Sequence, residues 1–467
     1  MVYPLIFKTE NDNFYIYDNN TRCVLPITNY SIKNEYIKNN MLVEERILKQ
    51  IKKDYKKIKL FEKTDYEEFQ KLEIDTCGLH VRKKGVDQLV LMITEDCNFR
   101  CKYCIYSENY SYSRNHTHKY MSWKVAKKAV DYFMTFNENS LESNPFLTPC
   151  VGFYGGEALL NWKLIVMVID YIEENYRTKF EDLVYSITTN GSLLDEEKIE
   201  YLLEHKVFIN ISVDGDKDNH DRNRVYTTGK PTYNKVISNI RKLEKAYLKR
   251  KASNEDVYEY QLIMTYDNNT KIKQIANIAA KSPELYSHFS RINKVRDIET
   301  SYYDNQEKPY RINMEITELL NLCAKEGKRN PIGDIFYRQQ VLTPALNTQF
   351  SPNILGGTCI PGSKIAVSAE GTFYMCEKMD YQSPIGNIDK GIDFQLQKEY
   401  LCRFIKMKRH FCKECNLTNI CTQCYSQCSS GGGNFKINKN LCEGFKRNIA
   451  NRFALYYTAH ENGIDII

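Results

Sequence analysis

From Asp87 onward the chain alternates between short apolar runs that end in a glycine or cysteine turn and longer stretches whose apolar residues recur three and four apart. DQLVLMITEDC, PCVGFYGGEALL, VYSITTNGSLL, FINISVDG and YEYQLIMTYDN are the apolar runs, and each is expected as a strand. Between them, SWKVAKKAVDYFMTF, WKLIVMVIDYIEENY, DEEKIEYLLEHK and KPTYNKVISNIRKLEKAYL carry the helical period. In the first of these, Ser122 can cap the helix while Ala126, Ala129, Val130 and Phe133 share one face. Parallel strands need long crossovers, and a helix between successive strands supplies them. Five or six such units in about 210 residues make an α/β fold, an open or partial (β/α)6 barrel, expected over residues 86–300. Reactive side chains in such sheets gather beyond the C-terminal ends of the strands. Every unusual motif of this stretch stands there, directly after an expected strand.

The flanks have other textures. In residues 1–85, LIFKTENDNFYIYD and TRCVLPI read as short alternating strands around polar turns, with Asn19–Asn20 in one turn. From about Asn34 to Lys71 the pattern turns helical and basic. The result is a small strand–helix module, either a recognition element or an extension that packs on the main domain. Residues 301–354 are polar and mixed, with a helical stretch at MEITELLNLCAKEG, and form a bridge. Residues 355–450 are dense in cysteine and weak in periodicity; GGTCIPGSKIAVSAEGTFYMCEKM reads as a hairpin whose arms carry Cys359 and Cys376 around Glu370–Gly371. A segment with little core patterning and many thiols is usually stapled by metal. Residues 451–467 close the chain as a helix or tail.

Composition excludes several classes. Of 467 residues, 42% are hydrophobic and 27% charged, a globular balance. The 65 Lys and Arg against 59 Asp and Glu leave +6, too mild to argue for nucleic acid. No apolar run approaches the roughly 20 residues that span a bilayer, and the first residues show neither a basic n-region nor a small-residue cleavage site. The expectation is a cytoplasmic protein that binds neither membrane nor nucleic acid. In a reducing compartment its 16 cysteines mean metal rather than disulfides. Cys23, Cys77, Cys150 and Cys323 stand alone and read as small buried apolar residues.

Cys97-Asn-Phe-Arg-Cys101-Lys-Tyr-Cys104 has the spacing C-x3-C-x2-C. Three thiolates on a loop leaving a strand can hold three irons of a 4Fe–4S cubane, which ordinarily takes four protein thiolates; a closed zinc site would also want four. The spacing, with an aromatic residue before the third cysteine, is identified as that of radical SAM enzymes. Gly155-Gly156-Glu157 resembles the family's GGE, which holds the methionine ammonium of SAM. Thr188-Thr189-Asn190-Gly191 is similar to the turn near the ribose, and Ser212-Val213-Asp214-Gly215 with His220-Asp221 resembles its SxDG…HD signature. The resemblance implies that Cys97, Cys101 and Cys104 hold the catalytic cluster. It further implies that Tyr103, Gly155, Gly156, Glu157, Thr189, Asn190, Ser212, Asp214 and Arg224 surround SAM, with Ser212 toward its ribose or carboxylate and Arg224 toward the carboxylate. One electron from the cluster would cleave SAM to methionine and a 5′-deoxyadenosyl radical, which takes hydrogen from an unactivated C–H bond.

The tail, with Cys359, Cys376, Cys412-x2-Cys415-x5-Cys421, Cys424-x3-Cys428 and Cys442, resembles a SPASM domain, whose two auxiliary 4Fe–4S clusters bring the implied total to three. By that resemblance Cys359, Cys376 and Cys424 or Cys428 hold the first, and Cys412, Cys415, Cys421 and Cys442 the second. Cys424 departs from the family's usual C-x2-C-x5-C-x3-C order, so either it or Cys428, or both, can be the ligand. No cysteine lies just upstream of Cys359, which leaves an open iron for a substrate thiolate or recruits Cys402. Glu377 stands where some relatives carry an acidic base, with Lys378 beside it as a simple ion-pair partner.

Radical SAM proteins with such a tail mostly modify peptides. The resemblance implies a maturase of ribosomally made peptides, of the ranthipeptide or sactipeptide type, that forms a cross-link, foremost a cysteine thioether. Its implied partners are a precursor peptide whose leader adds as a strand to the N-terminal module and an external electron donor, flavodoxin or ferredoxin. The basic Lys52–Lys59 stretch would meet an acidic leader or serve as a solvated helix face. The rival readings are a carbon–carbon cross-linker, an anaerobic sulfatase maturase that makes formylglycine, and a non-enzymatic iron–sulfur or zinc module that binds a peptide.

Overall fold

The structure, a computed structural model, describes residues 4–19, 21–27, 45–55, 60, 83–107, 109–110, 114–295, 310–327, 329–346, 362–413, 415–421 and 423–464. Asn20, Cys77, Cys359 and most of the expected helix between Asn34 and Lys71 lie outside them.

At the N-terminus β1 (Leu5–Lys8), β2 (Phe14–Tyr17) and β3 (Val24–Ile27) form a three-stranded antiparallel sheet, followed by α1 (Glu45–Asp54). Strand alternation sends successive side chains to opposite faces, and both faces are covered. Ile6, Phe14 and Ile16 pack with Ile51 of α1 and Leu60. Phe7 and Tyr17 pack with Leu417, Ile420 and Phe453 of the C-terminal region.

The barrel follows as β4 (Gln88–Thr94), α2 (Trp123–Glu138), β5 (Cys150–Gly155), α3 (Trp162–Asn175), β6 (Val184–Thr189), α4 (Glu196–Glu204), β7 (Val207–Ser212), α5 (Lys217–Asn223), α6 (Tyr233–Ala252), β8 (Gln261–Tyr266), α7 (Ile272–Lys281), α8 (Pro283–Tyr286) and β9 (Phe289–Lys294). Six strands, β4 to β9, lie side by side and parallel in chain order. Helix α2 begins as its sequence implies: Ser122 caps it by accepting from the Val125 amide, and Ala126, Ala129, Val130 and Phe133 are buried. The sequence pattern does not announce β9, because FSRINK interleaves Arg291, Asn293 and Lys294 with its buried Phe289 and Ile292.

The rest of the chain comprises α9 (Tyr310–Glu326), α10 (Pro331–Tyr337), α11 (Thr343–Leu346), β10 (Lys364–Val367), β11 (Thr372–Tyr374), β12 (Gly386–Asn387), β13 (Gly391–Ile392), α12 (Phe394–Cys412), α13 (Tyr425–Cys428) and α14 (Lys439–Glu461). Strand β10 pairs parallel with β4, and β11 to β13 continue antiparallel, so one ten-stranded sheet runs through barrel and tail. The hairpin turn falls at Gly371 (φ +86°), where a Cβ would stand 2.8 Å from the Ile388 side chain. The final helix starts at Lys439, capped by Asn438, a dozen residues earlier than the expected boundary at 451, and it carries Cys442. No described helix is long and apolar enough to cross a membrane.

Candidate active site

The three-thiol loop leaves the C-terminal end of β4 and runs beside residues 223–227. Arg100 donates its amide to the Val225 carbonyl (2.8 Å), Lys102 to Asn223 (3.0 Å), and the Thr227 amide to Asn98 (3.1 Å). Cys97 is buried and its sulfur accepts from the Phe99 amide at 3.4 Å. The Cys104 sulfur accepts from the Tyr106 amide at 3.4 Å and stands 3.8 Å from His116 Nε2. Burial, and then the neighbouring Cys101, pushes the Cys104 thiol up to about 12. Burial raises Cys97 and Cys101 as well. All three stand on one loop beyond β4, and a buried thiol ionises readily only beside a positive charge or a metal.

The glycine turn after β5 is built against this loop. A Cβ on Gly156 would meet the Asp96 carbonyl oxygen at 2.1 Å, and one on Gly155 the Thr94 oxygen at 2.3 Å. Glycine is what lets the Gly156 and Glu157 amides reach the Thr94 and Asp96 carbonyls, each at 2.8 Å. Glu157 is wholly buried, and its carboxylate accepts from the Leu159 amide (3.0 Å), the Thr189 hydroxyl (2.6 Å) and the Asn190 amide (2.6 Å). Burial raises its pKa against the pull of those donors. In this geometry Glu157 ties two turns together. Asn190 in turn donates to Asn98 Oδ1 (2.8 Å), and Asn98 to the Ser192 hydroxyl (2.9 Å), so the turn after β6 is bound to the cysteine loop itself.

A charged group sits under the third side of the loop. Tyr103 donates its hydroxyl to Asp214 and accepts from Arg224 Nη1 at 2.9 Å. Asp214 is wholly buried and also accepts from the Thr265 amide (3.0 Å). Burial opposes the charge on Arg224, but Cys101, Tyr103 and Asp214 hold it protonated well above its ordinary pKa. Its Nε, buried, has no hydrogen-bond partner. A buried guanidinium N–H without a partner leaves a donor open for an anion. Ser212, half-buried at the end of β7, makes no side-chain hydrogen bond among the described residues. His220 and Asp221 brace this corner: His220 accepts from the Asp214 amide (3.3 Å), and Asp221 accepts from the Thr232 and Tyr233 amides (2.8 Å each) at the start of α6.

The tail brings Glu377 to the same loop. Its backbone carbonyl accepts from Arg114 Nη2 at 3.1 Å and from the Tyr106 hydroxyl at 3.5 Å. Its carboxylate pairs with Lys364 (3.3 Å) and accepts from the Cys376 thiol (3.4 Å). The ion-pair partner is Lys364 of β10, while the neighbouring Lys378 is exposed. Burial would raise the pKa of Glu377, but the charges of Lys364 and Lys378 together hold it below the ordinary carboxylate value. Arg114, 5% exposed, lies over the rings of Tyr106, Tyr374 and Tyr381 at 5.3 to 5.5 Å. Arg114 and His116 are marked by no local pattern in the sequence, whereas Asn98 lies within the cysteine motif.

In the tail Cys412, Cys415, Cys421 and Cys442 line one small cavity with Lys408 and Lys446. Cys424 and Cys428 stand apart from its lining. Cys428 is buried and donates to Gln423 (3.4 Å), and Cys424 lies 3.1 Å from the Ser426 hydroxyl. Cys376 is buried beside Glu377, and Cys402 is half-buried on α12.

The cysteine loop stands beyond the C-terminal end of β4, bound to the turns after β5 and β6, and the comparisons bear on this region. Residues 91–258 match the Radical SAM superfamily; the chain carries a radical SAM domain and is an enzyme of that class, which implies a 4Fe–4S cluster and SAM. The chain is 35% identical over 148 residues to the uncharacterized protein MJ0907 of Methanocaldococcus jannaschii, a match spanning 32% of this chain and 45% of that protein. It is 24% identical to the cysteine-type anaerobic sulfatase-maturating enzyme of Clostridium novyi, over 78% of this chain and 94% of that enzyme. It is 25% identical to the radical SAM cyclopropyl synthase TigE of Paramaledivibacter caminithermalis, over 58% of this chain and 60% of TigE. The chain therefore spans under half of the first relative and under two thirds of the third. In fold it resembles native anSMEcpe with bound AdoMet, with a TM-score of 0.60 at 21% identity over 80% of this chain and 99% of that one.

Proposed function

We propose that this protein is a radical SAM maturase that installs a cysteine thioether cross-link in a ribosomally made peptide. The observation that carries the reading is the contact of Arg114 and Tyr106 with the Glu377 carbonyl, which sets a tail carboxylate against the three-thiol loop. Cys97, Cys101 and Cys104 would hold the cluster. When bound, it supplies the electron that splits SAM into methionine and a 5′-deoxyadenosyl radical. Arg224 Nε and Ser212 receive the SAM carboxylate, while Gly155 and Gly156 let the turn after β5 close on the loop. Glu377, held below the ordinary carboxylate pKa, would accept the proton lost as the substrate radical is oxidised, its electron passing to an auxiliary cluster. The residue 355–450 segment acts as a SPASM domain, with Cys412, Cys415, Cys421 and Cys442 holding one auxiliary cluster and Cys359, Cys376 and Cys428 or Cys424 the other. The sheet β1–β3 receives the leader of the peptide along an edge strand.

Formylglycine formation is the second reading, favoured by the near full-length match to a sulfatase-maturating enzyme. Mass spectrometry of a cysteine-bearing peptide after anaerobic reaction separates the two. A thioether keeps the sulfur and loses two hydrogens per link; formylglycine loses the sulfur. Cys101→Ala is expected to abolish release of 5′-deoxyadenosine, and an unchanged yield overturns both readings.

A further inference from the structure

Two stretches of this chain are strongly basic: residues 230–254, with eight Lys and Arg against Glu244, where Lys242 and Arg250 are in ion pairs, and the tail. Residues 401–450 contain nine Lys and Arg against two acids, Glu414 and Glu443, a balance of +7. The whole chain carries +6, so everything outside this stretch sums to −1. The excess is on the surface. Lys406 and Lys413 are exposed at the C-terminal end of α12, Lys436 before α14, and Lys439, Lys446 and Arg447 on the first turns of α14. None of these six is in an ion pair among the described residues, whose acid in this region is the exposed Glu443. The two helix ends converge, because Cys412 of α12 and Cys442 of α14 line the same cavity. Phe411, 56% exposed, offers an apolar anchor within the basic surface.

Cations near thiolates can serve to offset the charge of a bound metal centre, and the buried Lys408 in the cavity lining is placed for that. Exposed, hydrated ammonium groups contribute little to that purpose. They are suited to steering an approaching protein of opposite charge.

We propose that the basic surface formed by the end of α12 and the start of α14 is where an acidic one-electron carrier protein docks, over the four-cysteine cavity. The proposal rests on the radical SAM reading, in which an external one-electron donor must reduce the protein before SAM is cleaved. The carrier gives up one electron and is oxidised by one. The sulfonium C–S bond takes that electron and breaks to methionine and the 5′-deoxyadenosyl radical, and no proton moves in this step. An acidic leader peptide or a nucleic acid are the other anions this surface can attract, and the test separates them.

The experiment compares the full-length reconstituted protein with its Lys406→Glu/Lys439→Glu/Arg447→Glu variant. Binding of an oxidised acidic flavodoxin is measured directly by calorimetry, so this arm is independent of turnover. The variant is expected to bind about tenfold or more weakly, and the wild-type affinity is expected to fall steeply with salt. In turnover, the KM for reduced flavodoxin rises by a similar factor, while 5′-deoxyadenosine formation driven by dithionite stays within about twofold of wild type. Unchanged flavodoxin affinity overturns the proposal, as does a variant whose peptide KM or nucleic-acid retention changes instead. Loss of the dithionite-driven reaction in the variant also overturns it, since the charges then act through the site and not through docking. Wild-type protein that yields no 5′-deoxyadenosine with dithionite sinks the radical SAM reading alone, and calorimetry still decides the docking surface.

Discussion

His220 is wholly buried, with Nδ1 accepting from the Asp214 amide and Nε2 3.0 Å from the Thr232 hydroxyl. Burial, and then the charge of Arg224, lowers its pKa from 6.5 to about 3. Because the folded value lies below the unfolded one, the unfolded chain takes the proton first as pH falls. The stability that neutral His220 contributes is complete above about pH 6.5 and declines as the pH drops toward 3. At pH 5 the loss is roughly 2 kcal/mol, at about 1.4 kcal/mol per pH unit. Urea unfolding of the anaerobic protein at pH 7 and pH 5 is expected to show a difference smaller by about that amount in His220→Gln; an equal difference refutes this assignment. Beside it, Arg224→Lys keeps the charge but loses the planar fork. SAM affinity measured by equilibrium dialysis is expected to fall roughly 10- to 100-fold, the worth of a hydrogen bond to a charged group. At this scale the motif residues were legible, because a fixed spacing after a strand marks them. Arg114, His116 and Asn239 were not. Each is a single polar residue whose meaning comes from a distant partner, as Asn239 of α6 shows in donating to the Gly191 and Ser192 carbonyls at 2.8 and 2.9 Å.

Elements inherit these constraints through their ends. The turn after β5 approaches the cysteine loop so closely that Gly156→Ala must displace the Asp96 backbone, where a Cβ would stand 2.1 Å from the carbonyl oxygen. The expected outcome is a folded protein whose cysteine loop no longer holds its cluster, read as lower iron and sulfide content after anaerobic reconstitution. Gly444, inside α14, is the contrasting case: a Cβ there meets nothing within 4 Å. Gly444→Ala is expected to stabilise the protein by about 0.5–1 kcal/mol through helix propensity, with iron content unchanged. The strands β4 to β8 were legible because each is a largely apolar run without a charged residue. Strand β9 and helix α7 were not, since the polar residues of FSRINK hide its period, and α7 begins from Lys271 without a side-chain cap. Helix α14 was placed too late because its lead-in, the Gly431–Gly433 run and Asn438, reads as loop, although Asn438 caps it by accepting from the Leu441 amide at 3.0 Å.

Across the whole molecule, the two ends of the chain are held together. Phe453 is fully buried, with its ring 5.5 Å from Phe7 and 5.4 Å from Tyr17. Around it, Tyr15 donates to Glu461 at 2.7 Å, and Asn19 donates to Thr418 at 2.8 Å. The same cluster includes Leu417 and the partly buried Cys415, so the N-terminal sheet and the four-cysteine cavity share a wall. Neither this docking nor the parallel pairing of β10 with β4 was legible, because a strand's pattern records that a face is buried and not by what. The arrangement makes the sheet a structural support of the tail as well as a candidate leader site. Phe453→Ala removes an aromatic side chain from between them, at a cost of about 3–5 kcal/mol. Hydrogen exchange is expected to quicken in β1, β2 and the 415–421 segment together, while the amides of β5 to β7 keep their protection. Exchange that quickens in β1 and β2 alone would mean that the sheet rests on the tail without supporting it, and leader binding would then have no route to the cysteine cavity through Phe453.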